Sequence, residues 1–271
     1  MILTTSGSAA WAGTTPLVMA ILALAGYALA ALPSGERRPW SAPALVAGWL
    51  AHLVLLLLDI GGWGLDTPGA HLGFAPVLSM TVWLVIAVHT VESRLVPLPA
   101  VRRVLALVGA AAVALAWAFP GEARAMSSAW APLHFVLGVG SYGLFGAAVL
   151  HAVMLDSAER RLRLQSGSSP HAFGMPLLQL ERLTFRFVEA GFAVLTATLL
   201  LGVLTTARWT WDHKTVFSLL GWAVFAALLL GRRLRGWRGK RATRWLYAGA
   251  LLLLLAYAGS RFVMEVVLPR S

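Results

Sequence analysis

The chain has 271 residues, of which 59% are apolar and only 12% are charged. Soluble domains carry about 25% charged and about 45–50% apolar residues, so this composition is that of a membrane protein rather than a water-soluble globule. The net charge of +11 is typical of a protein with an anionic partner. The positions of the basic residues indicate whether that partner is a nucleic acid or a membrane surface. The absence of cysteine excludes disulfides, thiolate metal sites and thioether attachment of a cofactor.

Eight hydrophobic stretches recur along the chain, and each is expected to be a membrane-spanning helix. A bilayer core needs about 20 apolar residues per span, and a continuous helix satisfies the backbone amides in lipid. The first stretch lacks the basic flank and cleavage site of a signal peptide, so we expect a retained span. The spans are placed, in chain order, at Thr14–Leu32, Ala44–Ile60, Phe74–Val91, Arg103–Phe119, Ala131–Leu155, Leu183–Leu204, Thr215–Leu230 and Arg244–Leu268. The prediction is an all-α, polytopic helical bundle that forms a single domain over residues 1–271.

Basic residues alternate between successive connections. The connections that follow the odd-numbered helices hold 17 of the 22 lysines and arginines, with seven of them in the run Arg232–Arg244. Because basic loops stay in the cytoplasm, both termini are predicted at the outer, periplasmic side of a bacterial cytoplasmic (inner) membrane. The distribution of basic residues therefore indicates how the chain is oriented in the membrane. No nucleic acid is expected as a partner, since short loops offer no folded basic surface. Anionic lipid headgroups are the expected partners of the cytoplasmic basic loops.

This orientation brings a group of polar and aromatic residues to the outer face. A neutral imidazole can ligate a haem iron, indoles can cover the flat porphyrin, and a carboxylate can orient an imidazole. The alternative is a belt of interfacial tryptophans beside a solvated histidine. The group comprises His134 at the start of the fifth helix, Trp209, Trp211, Asp212 and His213 between the sixth and seventh helices, and Trp222 in the seventh.

Two segments in the second half of the chain carry a family resemblance. The stretch ARWTWDHKTVFSLLGW, Ala207–Trp222, resembles the WGxxWxWDPKETWxxxxW signature of the cytochrome c assembly membrane proteins, the CcsA, CcmC and HemX-like group. The stretch Leu133–Leu150 resembles that family's outward-starting helix, in which a histidine (His134) precedes a Ser-Tyr pair (Ser141–Tyr142). The last helix resembles that of the shorter HemX/YpjD-like branch. The resemblance is clear from about Ala131 onward and weak before it.

In this family the tryptophan-rich segment binds haem at the outer face, and flanking histidines are the axial ligands. The resemblance therefore implies non-covalent haem b with His134 as an axial ligand of the iron. His213 replaces the central proline of the signature and is the tentative second ligand by proximity alone. Trp209, Trp211 and Trp222 would form the platform and Asp212 would orient an imidazole. Arg261 could bind a haem propionate, since guanidinium matches a carboxylate, or could pair with Glu265 on its own helix.

Other residues inside the spans have two interpretations. His52, in the middle of the second span, is expected to make a polar contact to a neighbouring helix. The alternative is a relay ligand on a transmembrane haem path with His89 or His151. Gly138, Gly140 and Gly146 in the fifth helix predict close helix packing rather than a phosphate-binding loop.

The expected function is haem handling or delivery for cytochrome c maturation, as an assembly factor rather than a stand-alone enzyme. Apocytochrome c and other maturation membrane proteins are the partners that the resemblance implies. A HemX-like regulator or scaffold for a tetrapyrrole-biosynthesis enzyme is the alternative. A small-molecule transporter ranks third, because the sequence has neither an inverted repeat nor a broken helix at the midplane.

Overall fold

The computed structural model describes residues 7–32, 40–61, 70–71, 73–93, 99–120, 123–124, 130–164, 171–172, 175–205, 211–259 and 262. The helices are α1 Gly7–Ala31, α2 Ser41–Gly61, α3 Phe74–Glu92, α4 Pro99–Ala118, α5 Ala131–Leu164, α6 Leu177–Thr205, α7 His213–Arg235 and α8 Gly239–Leu254, which continues as a π-helix over Leu255–Gly259. The described residues also form two antiparallel pairs of two-residue strands. β1 Ala70–His71 and β2 Ala123–Arg124 join two connections, whereas β3 His171–Ala172 and β4 Met175–Pro176 both lie in the connection between α5 and α6.

All eight α-helices are long and apolar enough to cross a membrane, which confirms the predicted all-α, polytopic class. The helix ends differ most from the prediction at polar segments. α5 runs to Leu164 instead of Leu155, and α8 begins at Gly239 instead of Arg244. Apolar length marks the part of a helix that lies in lipid, whereas the helix itself can continue through charged residues outside it. The outward placement of both termini and the single domain remain predictions.

The chain divides into two compact units, which are described separately: residues 1–90 with 99–129, and residues 91–98 with 130–271. The first unit contains α1, α2, α4 and most of α3. α1 and α2 approach each other closely at Gly26 and Gly48, since a Cβ built on Gly26 would lie 2.6 Å from the Gly48 Cα. Small residues at a crossing allow helix backbones to pack directly against each other in lipid.

A polar network crosses the middle of the first unit. His52, which is fully buried, lies between the Tyr27 hydroxyl, 3.0 Å from Nδ1, and the Ser79 hydroxyl, 2.8 Å from Nε2. One turn earlier on α2, Trp49 donates to the Trp83 carbonyl at 3.1 Å, and the Trp83 indole donates back at 3.0 Å. The predicted contact of His52 to a neighbouring helix is therefore confirmed.

The second unit packs α5, α6, α7 and α8 around an apolar core. Phe145 of α5 and Phe225 of α7 stack at 3.9 Å between ring centroids in its centre. Gly249 makes room for this stack, because an added Cβ would lie 2.8 Å from Phe225 Cζ. By contrast, a Cβ on Gly140 would meet no atom within 4 Å among the described residues, so the prediction of close packing there was wrong.

Polar contacts fix the helices at the end of this unit where α7 gives way to α8. Arg238 binds Glu181 of α6 through two hydrogen bonds, Nε to Oε1 at 3.0 Å and Nη2 to Oε2 at 3.1 Å. The hydrogen bonds and the charge of Glu181 raise the pKa of the Arg238 guanidinium. Asp156 of α5 accepts from the Tyr247 hydroxyl at 2.8 Å and from the Thr243 hydroxyl at 3.1 Å. These bonds hold the hairpin of α7 and α8 against α5 and α6.

Candidate functional site

The predicted site residues lie at the opposite end of the second unit, which we call the His134 end. It is formed where α5 and α7 begin and where α6 and the π-helix after α8 finish. His134, in the first turn of α5, interacts electrostatically with Lys214 in the first turn of α7. The Lys214 ammonium lies over the Tyr257 ring of the π-helix, 5.7 Å from its centroid. The two segments that carried the resemblance therefore meet in the fold.

His134 is half-buried against α6. Its ring lies over Gly202, where an added Cβ would be 3.1 Å from His134 Cε1 and 3.7 Å from Nδ1. The backbone of Thr198, one turn before Gly202 on α6, lies near the ring. Nδ1 is buried and has no hydrogen-bond partner in the described part of the chain. A buried imidazole nitrogen that no described residue engages keeps a lone pair with which it can bind a metal.

Asp212 has a local structural role that the sequence analysis did not assign. It is the N-cap of α7, and its Oδ1 accepts from the Thr215 backbone N–H at 2.8 Å. Burial opposes ionisation of this carboxyl, but the hydrogen bonds to Thr215 and the charge of Lys214 outweigh burial and lower its pKa below the ordinary 3.8. The cap fixes where α7 begins, and with it the positions of Lys214 and His213. The orienting role for Asp212 towards an imidazole remains a prediction.

The tryptophans differ in their surroundings. Trp211, just before α7, is 72% exposed, as a ring that binds a flat ligand or a membrane interface would be. Trp222 is fixed between helices instead: its Nε1 donates to the Thr196 hydroxyl at 2.9 Å and its ring stacks with Phe192 at 5.5 Å. The sequence thus placed these two rings on one segment, whereas the structure gives them different environments.

Three further residues were predicted to belong to the site. His213 is the first residue of α7 and is exposed. Trp209 and Arg261 lie outside the described residues. The platform role of Trp209, the propionate contact of Arg261 and the second axial position of His213 stay predictions.

The sequence analysis missed residues of α6 and of the π-helix. Thr198 and Gly202 form a one-turn pair of small residues that receives the His134 ring. Tyr142 donates to the Leu253 carbonyl at 2.7 Å, immediately before the helix widens into its π-turn. Such π-turns are frequent at functional sites. The four-residue spacing of Thr198 and Gly202 is visible in the sequence, whereas no sequence pattern marks the π-turn.

The described residues at the His134 end suit one axial ligand of a haem. No described residue pairs with the buried Nδ1 of His134, and the ring occupies the space beside Gly202 that a larger side chain at position 202 would need. Lys214 supplies a positive charge of the kind that a propionate attracts. When bound, haem would supply redox chemistry at its iron, while these residues would hold and orient it. Among the described residues, no group of three or more histidine, aspartate or glutamate side chains could hold a bare metal ion.

Two other histidines of the spans, His52 and His151, are engaged in hydrogen bonds. Both nitrogens of His52 are satisfied within its network. His151, which belongs to the second unit, contacts the Ala147 carbonyl through Nδ1 at 2.8 Å and Glu92 through Nε2 at 3.1 Å. Since a ligand needs a free nitrogen lone pair, these contacts do not favour a relay through His52 or His151.

The fold defines a multi-pass helical membrane protein with a histidine and aromatic cluster at one end of its second unit. Residues 43–268 match the family model for the cytochrome c assembly protein. Because this match covers most of the chain, the chain belongs to the cytochrome c assembly protein family. The family predicted from the tryptophan-rich segment is confirmed.

Individual relatives agree with this assignment. The inner membrane protein YpjD of Escherichia coli strain K12 is 33% identical over 141 residues, which is 50% of this chain and 52% of YpjD. The cytochrome c biogenesis protein CcsA of Synechococcus sp. strain CC9902 is 25% identical over 260 residues, 83% of this chain and 85% of the relative. The chain thus matches only about half the length of YpjD but most of this CcsA. No solved structure matches the chain significantly.

Proposed function

We propose that this protein binds haem b non-covalently at its His134 end and takes part in haem handling or delivery for cytochrome c maturation. The observation that carries the proposal is His134, whose buried Nδ1 has no partner among the described residues while its ring packs on Gly202. Exposed Trp211 and the cation Lys214 provide a flat apolar surface and a charge for the propionates at the same end. The relatives named as cytochrome c biogenesis proteins support apocytochrome c and other maturation proteins as partners.

The absorption spectrum of the purified protein tests this function. We expect a Soret band after haem addition, and a large loss of that band in His134→Ala. His171→Ala, in the connection between α5 and α6, is the matched control, because it removes a histidine far along the chain from the cluster. A protein that shows no Soret band with added haem contradicts the function. Undiminished haem binding by His134→Ala contradicts the assignment of the ligand.

The proposal includes an orientation in the inner membrane, the location stated in the name of YpjD. The end of the second unit that bears Arg232–Arg244 faces the cytoplasm, since basic segments stay inside, and the His134 end faces the periplasm. The chain has no cysteine, so single cysteines can report this directly. We expect His213→Cys to react with a membrane-impermeant maleimide in spheroplasts, and Arg235→Cys, also exposed, to react only after lysis. The reverse pattern contradicts the orientation.

A further inference from the structure

The hairpin between α7 and α8 folds a tryptophan back onto the end of α7. Gly236 adopts a left-handed conformation, with φ of 64°, and ends α7. The Trp237 backbone N–H then donates to the Gly231 carbonyl at 3.3 Å, and the indole lies on Gly231, where a methyl group would overlap the ring. The Trp237 side chain is thereby fixed at the end of two membrane-spanning helices. We call this region, from Gly231 to Arg241, the Trp237 hairpin.

Two donors in the Trp237 hairpin lack an acceptor. Trp237 is only 8% exposed, and its Nε1–H has no hydrogen-bond partner among the described residues. The same holds for the buried Nη1 of Arg232, the residue that follows Gly231. Buried donors are nearly always paired, because an unpaired one loses its hydration without compensation. Two unpaired donors so close in sequence, one of them charged, indicate a missing acceptor with negative charge.

Among the described residues, the neighbouring charges do not provide an acceptor for these two donors. The Arg232 guanidinium is held over the Phe185 ring, 3.4 Å from its centroid, and the Arg241 guanidinium lies over Trp237 at 4.3 Å. Glu181 contributes to the field at Arg232, but both of its oxygens accept hydrogen bonds from Arg238. Glu189, on α6, also acts on Arg232 through its charge. The run from 232 to 244 itself contains seven basic residues and no acidic one, so the hairpin keeps an excess of positive charge.

We propose that the Trp237 hairpin binds the phosphate group of an anionic phospholipid, such as phosphatidylglycerol. A phosphate oxygen accepts charge-assisted hydrogen bonds from both an arginine and an indole N–H. The hairpin lies where two spans end, which is the depth of the lipid headgroups, and basic clusters at that depth attract anionic lipids. Anionic lipids were expected at the cytoplasmic basic loops in general, whereas this proposal names one place within them and two specific donors. This proposal is independent of haem binding.

Lipid titration of the purified full-length protein, followed by native mass spectrometry, tests the site. Trp237→Phe removes the indole N–H, keeps an aromatic side chain and leaves the net charge unchanged. Trp245→Phe is the matched control, because Trp245 neighbours Trp237 at 5.3 Å between centroids and is not among the unpaired donors. We expect Trp237→Phe to bind phosphatidylglycerol about tenfold more weakly than wild type, the effect of losing one hydrogen bond to a charged group. We expect Trp245→Phe to bind as wild type does.

A second pair of variants tests the charge. Arg232→Gln should weaken phosphatidylglycerol binding more than Arg235→Gln, although both remove one positive charge from the same hairpin and Arg235 is exposed. Phosphatidylcholine should bind weakly to all variants, and inorganic phosphate at the same concentration should not displace the lipid. Equal binding by Trp237→Phe and Trp245→Phe overturns the proposal, as does equal affinity for the two lipids. Displacement by inorganic phosphate assigns the site to free phosphate and overturns the lipid assignment.

Discussion

Replacing Gly26 by alanine tests whether direct backbone contact holds α1 and α2 together. A Cβ at this position would lie 2.6 Å from both the Cα and the nitrogen of Gly48, and 3.0 Å from the Ala44 carbonyl oxygen. Carbon atoms in ordinary contact are about 3.5–4.0 Å apart, so the two helices must separate by roughly 1 Å. Backbone atoms cannot rotate away as a side chain can, and the strain falls on the whole crossing.

The magnitude follows from two opposing effects. Overpacking a well-packed interior costs about 1–3 kcal/mol. Alanine is favoured over glycine in a helix by up to about 1 kcal/mol, which offsets part of that cost. We therefore expect Gly26→Ala to lower the free energy of unfolding by about 1–2 kcal/mol. For a chain of this size, each kcal/mol lost lowers the melting temperature by about 2–4 °C. The melting temperature of Gly26→Ala should therefore fall by about 2–8 °C.

Thermal unfolding of the purified protein in detergent, followed by tryptophan fluorescence, measures this effect. Gly140→Ala is the matched control, because its Cβ would meet no atom within 4 Å among the described residues and only the helix preference remains. We expect that variant to melt at or slightly above the wild-type temperature. If Gly26→Ala is as stable as Gly140→Ala, then the close crossing of α1 and α2 does not support the fold and the reasoning is refuted.

Two further outcomes follow from polar contacts. Asp212→Ala should destabilise the protein by about 1 kcal/mol through loss of the N-cap, whereas Asp212→Asn, which can still accept the bond, should cost much less; equal losses would contradict the cap. Folding lowers the pKa of Asp212 below 3.8. The stabilisation from its charge is therefore present above pH 3.8 and is lost as the pH falls through the folded-state pKa. The melting temperatures of wild type and Asp212→Asn should accordingly converge in acid. Tyr27→Phe should cost about 1–3 kcal/mol by leaving His52 Nδ1 buried and unpaired, and clearly less in a His52→Leu background; additive losses in a double-mutant cycle would show that the two residues are not coupled.

The sequence by itself determined the number of helices, the membrane class and the family. Long apolar runs have one stable form in lipid, the continuous helix, so counting them gave the eight spans. The tryptophan-rich segment and the histidine of α5 identified the family because they are short local patterns. Local patterns also placed His134, Trp211 and His213 near helix ends, where the structure has them.

Only the tertiary structure decided which faces of the helices meet. A membrane helix is apolar on nearly all sides, so hydrophobic periodicity does not mark its packed face as it does in a soluble protein. The sequence therefore assigned close packing to Gly140, although the described helix backbones approach each other directly at Gly26 and Gly48. The contact of the His134 ring with Gly202 and the burial of the Trp237 indole depend on helix rotation and on the register of distant segments. These are properties of the assembled bundle, because each one is set by contacts between helices rather than by neighbours along the chain.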